Sequence, residues 1–73
     1  MSIRTKSDHS EVKIIEVLPD FVFCGKRKPQ VKVEFLYEEL MYPEGFQTNM
    51  LIEDLIEDEP GEITRAIEGI GNG

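Results

Sequence analysis

Apolar residues recur at every second position from 31 to 37, and no other feature of the sequence constrains the fold as strongly. Val31, Val33, Phe35 and Tyr37 form this series. Because successive side chains of a strand point to opposite faces, the spacing places all four on one face. The segment therefore predicts a half-buried strand of an antiparallel sheet.

Two shorter strands are predicted before it. Residues 12–18 (VKIIEVL) and 21–24 (FVFC) are rich in β-branched and aromatic residues, and the Pro19-Asp20 pair between them favours a turn. We expect these two strands to pair as a hairpin. Residues 25–29 (GKRKP) predict a loop with three cations at its tip, and residues 46–48 could add a fourth strand.

Helical periodicity appears in the last third of the chain. Leu51, Ile52, Leu55 and Ile56 form one apolar stripe, with acids on the opposite face and Asn49 as a candidate N-cap. A second stripe consists of Ile63, Ala66, Ile67 and Ile70. Pro60 lies between the two stripes and suits both the end of one helix and the first turn of the next.

Strands come first and helices second, which predicts an α+β fold. We expect a small antiparallel sheet of three or four strands followed by one or two short helices. Residues 1–10 should form a flexible N-terminal arm, 11–70 a single domain and 71–73 a flexible tail. The expected core comprises Val12, Ile14, Val17, Phe21, Phe23, Val33, Phe35, Leu51, Leu55, Ile63 and Ile67.

A chain of 73 residues can form one small domain with a thin core, which disulfides, a metal or a partner chain often stabilise. Cys24 is the single cysteine and His9 the single histidine, so an intrachain disulfide is excluded and a zinc site is disfavoured. We expect no cofactor. The sequence shows no signal peptide and no apolar run that approaches a transmembrane helix, which indicates a cytoplasmic protein.

No motif in the sequence specifies a reaction. A nucleophile needs a base held beside it, and His9 lies in the predicted arm. The cationic loop would favour the thiolate of Cys24, although a buried structural thiol is the simpler interpretation. The acids of residues 53–62 have neither the cleft that acid–base chemistry requires nor the spacing of a Ca²⁺ loop. We therefore expect a non-enzymatic protein, and a small enzyme or metal protein is a third hypothesis.

Charge is distributed unevenly along the chain, whose net charge is -7. Residues 1–36 carry a net charge of +2 and residues 37–73 one of -9. An acidic half repels phosphates and attracts basic surfaces, so direct specific binding of nucleic acid is not expected. The acids of residues 53–62 could instead imitate phosphates and inhibit a DNA-binding enzyme, or they could form an ordinary solvated helix face.

Two clusters are candidate contacts with a partner protein. Lys26, Arg27 and Lys28 could contact an acidic patch or phosphates, or they could keep the hairpin soluble and prevent edge pairing. Tyr42 belongs to a group of large side chains beside acids. This group suits either an interface or a cover over the open end of the core.

The layout as a whole resembles a family of small phage-encoded transcription regulators, of the Xanthomonas phage type. The likeness lies in a very short chain, a polar arm, the GKRKP segment and the acidic segment 52–62 (IEDLIEDEPGE). Members of that family bind bacterial RNA polymerase, block initiation and promote antitermination. The resemblance implies a large protein partner, with Ile3, Arg4 and Lys6 or residues 26–28 as its contacts. The alternative remains an acidic mimic of nucleic acid.

Overall fold

The computed structural model describes residues 2–71, which form five β-strands, one 3₁₀ turn and one α-helix. Along the chain these are β1 (Ile3–Thr5), β2 (Glu11–Phe23), β3 (Lys26–Phe35), β4 (Gln47–Leu51), the 3₁₀ turn (Ile52–Asp54), β5 (Leu55–Glu57) and α1 (Glu62–Gly71). The strands form one antiparallel sheet in the order β4-β3-β2-β1-β5. The predicted α+β class is confirmed, although the sheet has five strands where three or four were expected.

Strands β2 and β3 form one long hairpin whose turn is Cys24-Gly25, not Pro19-Asp20 as predicted. Both turn residues have positive φ, 51° for Cys24 and 76° for Gly25. This is the type I′ geometry, whose twist matches that of paired strands. Pro19 and Asp20 lie instead in a bulge, where β2 uses one more residue than β3. A bulge tolerates the missing N–H of proline, so β2 continues through it and residues 26–29 belong to β3.

The segment expected to be a flexible arm contains strand β1, which lies between β2 and β5. Ile3 pairs with Val12 of β2 and with Glu57 of β5, and both Ile3 and Thr5 are buried. A three-residue strand with one large apolar side chain gives almost no local signal. Its main partner in β5 lies far along the chain, which is why the sequence pattern did not reveal it.

Residues 51–58 do not form the first predicted helix. They form the end of β4, the 3₁₀ turn, β5 and the first residue after it. A lone helix of about eight residues is unstable in water. Pairing of β5 with β1 satisfies the backbone and buries Leu55 in the core.

The second predicted helix is confirmed as α1, which packs against β2. Its apolar residues Ile63, Ala66, Ile67 and Ile70 lie against the core as expected. The predicted tail begins inside this helix at Gly71, and its remaining residues 72 and 73 lie outside the described residues. Within residues 2–71, no helix has the length and apolar character needed to cross a membrane.

The core is small. Its buried apolar side chains are Ile3, Val12, Ile14, Val31, Val33, Phe35 and Leu55. Three residues that were expected in the core are exposed, Val17 at 45%, Phe21 at 42% and Phe23 at 64%. Phe21 and Phe23 lie on the part of the hairpin that extends beyond β4, where the helix and the other strands do not cover them. Val17 lies opposite Val31, which still pairs with Met50 of β4.

Candidate functional site

The β2–β3 hairpin projects beyond the rest of the sheet. The pairing of β4 with β3 ends at Gln30 of β3. Strand β1 pairs only with Glu11 and Val12, the first two residues of β2. We call residues 21–28 the ribbon tip; its two strands pair with each other and with no further strand in residues 2–71. At about 3.3 Å per residue, the hairpin extends roughly 15 Å past the end of β4.

Apolar and cationic side chains face each other across the ribbon tip. The cross-strand pairs are Phe21 with Lys28, Val22 with Arg27 and Phe23 with Lys26. Directly opposite residues of an antiparallel pair point to the same face. Each face of the ribbon tip therefore presents apolar groups beside cations. The eight residues carry three cations and no anion, in a chain whose net charge is -7.

The aromatic residues of the ribbon tip stack on each other but remain open to solvent. The ring centroids of Phe21 and Phe23 lie 6.3 Å apart, with 14° between the ring planes. Val22 is 59% exposed on the other face. Full burial of a valine or phenylalanine side chain stabilises a folded protein by about 1.5–3 kcal/mol. The exposed side chains of the ribbon tip do not contribute this stabilisation to the fold. Clustered exposed apolar groups of this kind are typical of a binding surface.

Two polar contacts fix the base of the ribbon tip. The Nζ of Lys28 donates a 2.8 Å hydrogen bond to Oε1 of Glu53, and this bond, with the negative charge of Glu53, raises the pKa of Lys28. Gln30 Nε2 donates a 3.0 Å bond to the carbonyl oxygen of Pro19, which holds the β2 bulge against β3. These bonds orient the projection and leave its apolar side chains uncovered.

The predicted contacts near the N-terminus do not join this site. Ile3 is buried and cannot contact a partner in the folded protein. It lies beside Val12, roughly 30 Å of strand from Phe21. Arg4 pairs with Asp58 at 3.6 Å, and Lys6 is exposed in the turn after β1. The structure therefore brings residues 26–28 together in one place but separates them from Ile3, Arg4 and Lys6.

Tyr42 covers the end of the core. Its ring stacks on Phe35, at 4.6 Å between centroids, and on Phe46, at 5.0 Å, and these two rings also contact each other at 6.1 Å. Of the two interpretations of Tyr42, the geometry favours the cover, since the ring is half-buried against the core. The same loop exposes Leu40 and Met41 almost fully, and these two side chains form a second apolar surface.

Several acids of residues 53–62 are engaged within the protein. The carboxylate of Glu57 accepts hydrogen bonds from the backbone N–H groups of Ile63 and Gly61, and these bonds lower the pKa of Glu57. Asp58 accepts a 2.7 Å bond from the hydroxyl of Ser2, which lowers the pKa of Asp58. A mimic of phosphates needs a row of free carboxylates, and these two are used to cap α1 and to hold β1.

Sequence reasoning missed the apolar half of the ribbon tip. Phe21 and Phe23 were assigned to the core because aromatic residues in a strand usually pack inside. The signal that could have placed them outside is the Cys24-Gly25 pair, which fits a tight turn and makes Lys26 and Lys28 their cross-strand neighbours. Residues that share a face with a run of cations stay exposed, because burying unpaired cations costs free energy.

Cys24 and His9, the two residues considered for catalysis, lie in separate turns of the fold. Cys24 is exposed in the turn of the hairpin, and His9 is exposed in the turn before β2. Within residues 2–71, no three His, Cys, Asp or Glu side chains are grouped to hold a metal ion.

Comparison with family models, curated proteins and solved structures finds no match to this chain.

Proposed function

We propose that this chain is a small acidic, non-enzymatic regulator that binds a large protein through its ribbon tip. The observation that carries the proposal is the projecting hairpin, which exposes Val22 and Phe23 beside three cations. Aromatic and cationic side chains gain most when they enter an apolar pocket with an acidic rim. The partner surface should therefore combine an apolar pocket with carboxylates around it.

Bacterial RNA polymerase is the partner we propose, with inhibition of transcription initiation as the consequence. This part of the proposal comes from the resemblance in size and charge layout to phage-encoded regulators. Binding would take place in the cytoplasm, that of the host cell if the protein is phage-encoded. A two-stranded ribbon is narrow enough to enter a cleft of a large enzyme, which agrees with this choice.

An acidic mimic of nucleic acid is the alternative. Its test needs care, because replacing Glu57 or Asp58 would also disturb the cap of α1 and the contact with Ser2. Exposed Asp54 and Glu59 are better positions within residues 53–62, since neither side chain makes a hydrogen bond or an ion pair among the described residues. A mimic loses affinity for its enzyme in an Asp54→Asn, Glu59→Gln double variant, whereas a ribbon-tip binder does not.

The proposal is tested with purified bacterial RNA polymerase by measuring binding and the rate of promoter-dependent initiation. We expect binding of the wild-type chain and at least a tenfold loss of affinity, about 1.4 kcal/mol, in a Val22→Thr, Phe23→Thr double variant. Threonine favours strand conformation, as valine and phenylalanine do, so the hairpin should remain folded in this variant. Circular dichroism checks this.

Met41→Thr is the matched control, because it removes an exposed apolar side chain from the other apolar surface. It should bind like the wild type. Polymerase that neither binds the wild-type chain nor initiates more slowly in its presence would exclude this partner. Equal loss in the Met41 and ribbon-tip variants would instead indicate nonspecific adhesion and remove the ribbon tip as the site.

A further inference from the structure

The outer edge of β4 is an unprotected sheet edge within residues 2–71. Strand β4 is last in the strand order and pairs only with β3. Natural edge strands usually carry a charge, a proline or a bulge that prevents pairing with another chain. The β4 sequence, QTNML, has no charged residue and no proline, and its pairing with β3 runs without a register shift.

The other open edges of this sheet are protected. Strand β2 contains Pro19 and two register shifts along its length. The part of β3 beyond Gln30 carries Pro29 and three cations. Strand β5 is three residues long and contains Glu57. The contrast makes β4 the edge at which another strand can add.

The hydrogen-bond pattern identifies the backbone groups that face outward from β4. The N–H of Phe35 donates a 2.9 Å bond to the carbonyl oxygen of Phe46. Phe35 and Phe46 therefore form a hydrogen-bonded pair, and bonded and non-bonded pairs alternate along an antiparallel ladder. The next bonded pairs are Val33 with Thr48 and Val31 with Met50, so Thr48 and Met50 direct their N–H and C=O groups to β3. The corresponding groups of the other three residues, Gln47, Asn49 and Leu51, point away from the sheet.

These outward groups are arranged symmetrically about Asn49. When two β4 strands lie side by side in opposite directions, Asn49 meets its counterpart and Gln47 meets Leu51 of the other copy. Every outward N–H then has a carbonyl partner. A twofold pairing of this kind is closed and does not propagate into a fibre.

The distribution of charge also indicates that the strand that pairs with the open edge of β4 belongs to a second copy of this chain. The longest run without a charged residue is 45–52, which contains the whole of β4. Two chains of net charge -7 can approach most closely where neither carries charge. Two acids near β4 are neutralised within the chain: Glu34, opposite Gln47 on β3, pairs with Lys13 at 3.3 Å, and Glu53, two residues after β4, pairs with Lys28 at 2.8 Å. We infer that two copies of this chain pair β4 to β4 and form one ten-stranded sheet.

The test is sedimentation equilibrium of the full chain from about 5 µM to 1 mM, together with amide hydrogen exchange. We expect a concentration-dependent dimer, and slower exchange at the amides of Gln47, Asn49 and Leu51 as the concentration rises. Asn49→Pro removes one outward donor per chain and keeps the ladder to β3, so it should weaken association at least about tenfold. Asn49→Ala keeps the N–H and should dimerise like the wild type.

A chain that stays monomeric at 1 mM would overturn the inference. So would a dimer in which the newly protected amides lie in the ribbon tip or in α1 rather than at the three outward positions. The exchange measurement uses the wild-type chain, so it decides the question even if the proline variant does not fold. Binding to polymerase plays no part in either result, and the two proposals can therefore fail separately.

Discussion

The Nζ of Lys28 lies 2.8 Å from Oε1 of Glu53, and this hydrogen bond joins the ribbon tip to the 3₁₀ turn after β4. The side chains of Lys28 and Glu53 are about half exposed, at 41% and 53%. The bond therefore adds little to the core, but it sets the direction in which the hairpin leaves the sheet. Interactions between exposed charges of this kind weaken as salt is added.

Lys28→Met should leave the sheet folded and loosen the ribbon tip. We expect lower heteronuclear NOE values in NMR for the amides of residues 21–28, and unchanged values for β2 near Val12. About 1 M salt should loosen the wild type in the same way, since it screens the pair. Unchanged NOE values at the ribbon tip in both experiments would show that the pair does not orient the hairpin.

Cys24→Asn should stabilise the protein. Cys24 has φ of 51° in the type I′ turn, a backbone conformation that asparagine tolerates better than cysteine does. We expect a gain of about 0.5–1 kcal/mol in the free energy of unfolding by urea. Cys24→Val, with a β-branched side chain at the same φ, should lose stability. Identical urea midpoints for the two variants would contradict this account of the turn.

Phe35→Ala should be among the most damaging single changes. The ring is 1% exposed and stacks on Tyr42, so its loss leaves a cavity and frees the loop above it. A cost of about 3–5 kcal/mol is expected, which is much of the stability of a small domain. Phe23→Ala is the comparison, and its effect should stay within about 0.5 kcal/mol because the ring is exposed. Similar losses in the two variants would contradict the placement of the core.

Glu57→Gln should make stability less sensitive to acid. Hydrogen bonds from Ile63 and Gly61 hold the pKa of Glu57 below its ordinary 4.5 in the folded state. The unfolded chain thus binds the proton more readily, so the stabilisation is complete above about pH 4.5 and disappears as pH falls through the lower folded value. The variant should be less stable than the wild type at pH 7 and differ less from it at pH 3, measured by thermal unfolding. Glu59→Gln should change neither comparison.

Arg27→Ala should separate folding from binding. The guanidinium is exposed and lies within 4 Å of no carboxylate in the described residues, so the free energy of unfolding should change by less than about 0.5 kcal/mol. Association with the polymerase should become slower and less sensitive to salt, because a rim charge acts mainly on the encounter rate. An unchanged association rate would remove Arg27 from the binding surface.

The parts of the fold that local periodicity determines could be predicted from the sequence. Val33 and Phe35 are buried on one face of β3, and Ile63 and Ile67 hold α1 against the core, as their spacing indicated. In α1 the backbone hydrogen bonds form within the segment, and in β3 the alternation alone determines which side chains share a face. Neither result depends on which distant segment lies alongside.

The parts that were predicted wrongly depend on pairing between distant segments. Residues 51–58 fit a helical stripe, but the open edge of β1 offered Leu55 a place in the sheet. The bulge at Pro19 likewise kept β2 continuous where a proline suggested a turn. For the candidate site, the cations of residues 26–28 were identified from the sequence. The exposed aromatic residues were not, because exposure depends on where β4 ends.

The pairing of Ile3 with Glu57 has a consequence for synthesis of the chain. A ribosome makes β5 about fifty residues after β1, and α1 follows β5. Until then, one edge of β1 and the face that α1 covers have no partner. A transcript cut short before Leu55 would therefore yield a polypeptide that exposes its interior, and cellular proteases should remove it. A folded, protease-resistant molecule therefore requires translation through α1.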